Sequence, residues 1–111
     1  MVKFFLSGSE RAPERIDEFK SGCWVDMVNP SDDECEDIAA VTGIPEDMIK
    51  AALDEEERAR TEIDDGNFMF IVDCPLIEEN DEGGDDYTTI PLAVIYNDKC
   101  IVTVCLKAIP Y

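Results

Sequence analysis

Whatever chemistry this chain performs must be done with carboxylates. Of its 111 residues, 27 are Asp or Glu, against nine Lys and Arg and no histidine, a formal charge of −18. The acids come in runs: "DDECED" over 32–37, "DEEE" over 54–57 and "EENDEGGDD" over 78–86. Such runs can hold hard divalent cations, or shuttle protons when two carboxyls converge in a pocket with separated pKa values. Consecutive helical residues point in different directions, so neither DDEC nor DEEE presents a converging pair. Without histidine, Ser-His, Cys-His and His-metal sites are excluded. The chain therefore reads as a non-enzyme.

The third acidic run imitates a calcium loop. Glu78, Asn80, Glu82 and Gly83 fall at loop positions one, three, five and six, but Thr89 stands where a bidentate glutamate is required. An acidic hairpin tip is the better reading. Gly83 and Gly84 lack every other element of a phosphate loop. Arg58 and Arg60, two apart on a strand, would share a face and clamp the acids before them, a surface ion-pair cluster worth little stability.

So negative a chain repels phosphate backbones and anionic lipid, which disfavours nucleic acid and any membrane contact by this chain itself. Divalent cations would relieve the repulsion, and the surface also serves solubility. Five cysteines, an odd number with no C-x-x-C pair, suggest neither a disulfide framework nor a zinc ribbon and fit a reducing cytoplasm. "MVKFFLSGS" is too short for a secretory core, and runs such as "IPLAVIY" are too short to span a bilayer.

The elements that must position these groups are legible in pattern and punctuation. "VKFFL" predicts an opening strand, "ERIDEFKSG" a short polar helix closed by Gly22, and "CWVDMV" a second strand with Trp24 half-buried. Ser31 and Glu34 form a capping-box pattern for a helix whose buried side is Cys35, Ile38, Ala39 and Val41 and whose terminator is Gly43. A second helix runs from Pro45 or Glu46 to about Leu53, with Met48, Ile49, Ala52 and Leu53 inward.

"ARTEI", "NFMFIVDCPLI", "YTTIPLAVIY" and "CIVTVCL" predict antiparallel strands, with Pro75 and Pro91 marking a bulge or a change of strand partner. The fold class is α/β with α+β character: one domain over 1–111, a mixed β-sheet with a C-terminal antiparallel strand run, packed against short helices.

In order and spacing these blocks resemble the amino-terminal cytosolic domain of the CorA family of magnesium transporters. "CWVDMVNPSDDE", "TGIPEDMIKAALDEEERARTE", "FMFIVDCPLI" and "TTIPLAVIYNDKCIVTV" carry the likeness, over roughly residues 1–107. The resemblance implies a cytoplasmic piece of a longer protein of the cell membrane. Its stalk helix, two membrane spans and Gly-Met-Asn signature would lie beyond Tyr111. It also implies a homo-pentamer whose cytosolic domains sense intracellular Mg2+ between subunits and thereby gate the pore. The aspartate that relatives place late in the second helix falls at Ala51, after Lys50; Asp47, Asp54 and Glu55 are the substitutes within a turn. The alternative is a stand-alone acidic protein-interaction module.

Overall fold

The structure, a computed structural model, describes residues 1–6, 14–54, 56–79 and 81–108. Among them, seven strands form one sheet: β1 (Val2–Leu6), β2 (Glu14–Ile16), β3 (Trp24–Val28), β4 (Arg60–Asp64), β5 (Asn67–Glu79), β6 (Asp85–Tyr96) and β7 (Ile101–Cys105). Their spatial order is β2-β1-β3-β7-β6-β5-β4. Neighbours are antiparallel except β3 and β7, which run parallel from Trp24↔Ile101 to Val28↔Cys105. The expected mixed sheet with its C-terminal antiparallel run is present.

Helices α1 (Asp32–Thr42) and α2 (Glu46–Lys50), the latter prolonged by a 3-10 turn over Ala51–Leu53, pack on one face of this sheet. Alternation along each strand puts Val25, Met27, Ala93, Ile95, Val102 and Val104 inward, against Cys35, Ile38, Ile44, Met48, Ile49 and Ala52 from the helical layer. The capping box forms: Glu34 N–H donates to Ser31 Oγ at 3.2 Å and Ser31 N–H to Glu34 Oε1 at 2.9 Å. Gly43, at φ 77°, ends α1 in the left-handed conformation and returns its N–H to Ala39 O. All five cysteines are free thiols.

Four expectations need correction. Glu14–Ile16 is not helical but a three-residue edge strand, whose Ile16 lies opposite Phe4 of β1; that non-local pairing outweighs the weak helical spacing of Ile16 and Phe19. Val41 is 47% exposed, and Thr42 is buried in its stead, its hydroxyl donating to Ile38 O at 2.6 Å and accepting from Ile44 N–H. β4 begins at Arg60, so Arg58 precedes the strand and the two arginines do not share a strand face.

The prolines mark no bulge, because β5 and β6 stay in one register from Phe68↔Tyr96 to Glu79↔Asp85. Pro75 and Pro91 lie instead where the flanking strands have stopped, β4 at Ile71 and β7 at Leu92. A missing N–H is tolerated there because no outer ladder needs it.

Candidate functional site

Among the described residues, the helical layer covers one side of the sheet only. On the other side the same alternation turns Trp24, Ile101, Tyr96, Val94, Phe68, Phe70 and Val72 outward, and Ile63 continues the row on β4. Among these, Phe68, Phe70, Val72, Tyr96 and Ile101 are each between a third and a half exposed. Phe5 lies tilted against Trp24 with centroids 4.9 Å apart, and Phe68 stacks on Tyr96 at 5.2 Å. Across β1, β3, β7, β6, β5 and β4 in the body of the sheet, the charges at outward positions of this face are Lys3 and Asp26. In a molecule of charge −18, so extended an apolar and nearly uncharged surface marks a contact face.

A polar thread crosses its centre. Trp24 Nε1–H donates to Thr103 Oγ1 at 2.8 Å, and the Thr103 hydroxyl donates to Asp26 Oδ1 at 3.0 Å. Thr103 is buried, and the thread tethers the Trp24 indole to β7. At the end of β6, Asn97 ties three elements together: its Nδ2 donates to Thr42 O and to Asn67 Oδ1, each at 3.0 Å, while its Oδ1 accepts from Lys99 N–H at 2.8 Å and Cys100 N–H at 3.1 Å. Burial pushes the neighbouring Cys100 thiol up to about 11, so it is no nucleophile at neutral pH.

The carboxylates lie on the remaining surface. Asp32, Asp33, Glu36 and Asp37 stand exposed along α1, where the first three acids, with Glu34 among them, complement the positive end of the helix. Glu34 is held below the usual glutamate range, chiefly by the Ser31 backbone N–H. Lys50 Nζ bridges Glu46 at 3.1 Å and Asp32 at 3.3 Å. Arg60 pairs with Glu57 at 2.9 Å and with Glu62, so among the described residues Arg60 makes the expected clamp on the acidic run.

Of the candidate metal ligands, Asp47 projects into solvent from α2. Asp54, also exposed, follows the 3-10 turn and accepts from Glu56 N–H at 3.0 Å. Glu55 lies outside the described residues. Ala51 is half-buried at the junction of α2 and the 3-10 turn. Among the described residues no group of three or more Cys, Asp or Glu side chains converges as a metal-binding set. The apolar contact face went unrecognised in the sequence, although its signal is there: "NFMFIV" and "IPLAVIY" are apolar at successive, not alternate, positions, the pattern of strands meant to be covered on both faces.

Known proteins agree with this geometry. The soluble domain of CorA from Methanocaldococcus jannaschii superposes with a TM-score of 0.77 at 25% identity, over 98% of this chain and 42% of that one. The complete CorA magnesium transporter from the same organism matches in fold, with a TM-score of 0.73 at 19% identity over 98% of this chain and 33% of that one. By sequence, a cobalt/magnesium transport protein CorA of M. jannaschii is 30% identical over 81 residues, 73% of this chain. The chain spans about a quarter of the length of that relative. Among the described residues no helix is long and apolar enough to cross a membrane. The family model described as CorA-like Mg2+ transporter protein matches residues 19–111, and the chain belongs to that family.

Proposed function

We propose that this chain is the cytosolic regulatory domain of a CorA-like transporter of magnesium or a related divalent cation, one subunit's share of a homo-oligomeric, pentameric membrane protein. The observation that carries this reading is the uncovered apolar face on a fold that matches less than half of a relative's soluble domain. A body that leaves Phe68, Phe70, Val72, Tyr96 and Ile101 in solvent is shaped to receive more chain. The stalk and membrane helices that the family resemblance implies would supply it. The role is to bind and to move.

Regulation follows from charge. Mg2+ asks for six oxygens in near-octahedral array and keeps several waters, so one or two carboxylates from each of two facing surfaces suffice. Asp47 and Asp54, with Glu55 beside them in sequence, offer single carboxylates at the end of the helical layer. A cation held there against an acid of a neighbouring subunit binds one arrangement better than the other and shifts the population toward it. The cation senses and gates; it is not a resident cofactor of one chain.

The test is thermal melting with and without millimolar Mg2+, against NaCl at matched ionic strength. A site filled at a hundred times its dissociation constant adds about 2.7 kcal/mol, several degrees for a domain of this size. If Mg2+ and matched NaCl shift the melt equally, direct sensing by this chain is refuted while membership of the family stands. Loss of the Mg2+-specific shift in Asp47→Asn or Asp54→Asn assigns the ligand.

A further inference from the structure

The hairpin of β5 and β6 outruns its neighbours. β4 accompanies β5 only to Arg60↔Ile71 and β7 accompanies β6 only to Leu92↔Cys105, yet β5 and β6 stay paired out to Glu79↔Asp85. From Asp73↔Pro91 to that last pair they form a two-stranded arm about 20 Å long at ~3.3 Å per residue. A free two-stranded ribbon is marginal in water. This one is pinned on one face, where Leu76 and Ile90 pack with Val28, Leu92 and Cys105, and where Lys107 Nζ reaches Glu78 Oε1 at 2.9 Å.

Among the described residues the arm's other face has no such seat. There Ile77 and Tyr87 stand directly opposite one another, 61% and 75% exposed. Pro75 and its partner Thr89, also exposed, extend the uncharged middle toward the body. Asp73 at the root and the Glu79–Asp85 pair at the tip bracket it with charge. Residues 73–91 contain seven acids and no Lys or Arg. Pro75 and Pro91 blunt the edges against an added strand, so a partner must meet the face and not the edge.

We propose that this face of the arm docks a cationic amphipathic segment of a protein partner, its apolar stripe over Ile77 and Tyr87 and its Lys or Arg side chains over the bracketing acids. Charge selects this occupant: seven acids with no Lys or Arg over residues 73–91 draw in and orient a basic segment. An exposed tyrosine beside an aliphatic side chain is a suitable anchor for such a contact. A helix of about 13 residues matches the arm in length at ~1.5 Å per residue. The proposal does not depend on the sensing role.

The experiment titrates the 111-residue chain with a dye-labelled 14-residue leucine–lysine helix, and with a scrambled peptide of equal charge, at fixed ionic strength. The expected result is saturable binding of the amphipathic peptide, at least tenfold weaker for the scramble and at least tenfold weaker for Ile77→Ala/Tyr87→Ala. Both positions are exposed, and circular dichroism checks the fold of the double variant. Neutralising Asp33, Glu36 and Asp37 on α1 should change affinity less than twofold. Equal binding of both peptides, unchanged affinity in the arm variant, loss on neutralising α1, or no binding at all overturns the proposal.

Discussion

Replacing Asn97 should destabilise the domain more than any other half-exposed polar substitution, because one side chain joins the β6–β7 turn, the end of α1 and the start of β5. Asn97→Ala deletes the two bonds to Thr42 O and Asn67 Oδ1 and the two accepted from the Lys99 and Cys100 amides. Lys99 is exposed and its amide can turn to water, so that bond contributes little to the loss. The other three have partners in or at the edge of the core, Asn67 being only 6% exposed, and at about 1 kcal/mol each they sum to roughly 3 kcal/mol.

For a domain of this length that is a fall in Tm on the order of 10 °C or more. Urea unfolding followed by Trp24 fluorescence should show a lower midpoint with an unchanged slope. Asn97→Asp separates the two halves of the network: it keeps both acceptor bonds but sets a carboxylate against the Thr42 and Asn67 oxygens, so it should be no more stable than the alanine variant at neutral pH. A loss below about 0.5 kcal/mol for Asn97→Ala, or an aspartate variant as stable as the parent, would refute the reasoning.

Ile49, fully buried under the helical layer, should cost about 2–5 kcal/mol on replacement by alanine, read by chemical denaturation. Ser31→Ala should cost about 1 kcal/mol, since both arms of the capping box are made. Glu34, its carboxyl depressed first by the Ser31 N–H, stabilises the fold above the ordinary glutamate pKa and loses that contribution as pH falls through its lowered value. Glu34→Gln should therefore flatten the acid limb of the stability–pH curve, measured by melts between about pH 3 and pH 6.

What could be read in advance was what short-range chemistry decides. Ser31, Glu34 and Gly43 set the limits of α1 because caps act within four residues, and "DDG" and "ND" end strands because they supply turn conformations locally. Glu14–Ile16 does not read as a strand because a three-residue edge strand is made by its partner β1, which leaves no trace in its own composition. Val41 and Thr42 exchanged places because a hydroxyl bonded within the helix can be buried more cheaply than hydropathy suggests. For the site, residue type exposed the acids but not their arrangement. Asp47 and Asp54 stand singly on the surface, and convergence is a property of assemblies, not of strings of letters.

The placement of β7 governs how the chain can fold. Among the described residues, the strand latest in sequence is the central strand in space, parallel to β3 on one side and antiparallel to β6 on the other. Until Ile101–Cys105 inserts, β2-β1-β3 and β6-β5-β4 are two three-stranded pieces without a shared hydrogen bond across the seam. Closing that seam joins residues nearly 80 apart, a contact whose loop entropy must be met late and all at once. Two unmatched half-sheets thus wait on one keystone, and cooperativity across the sheet depends on the five residues of β7.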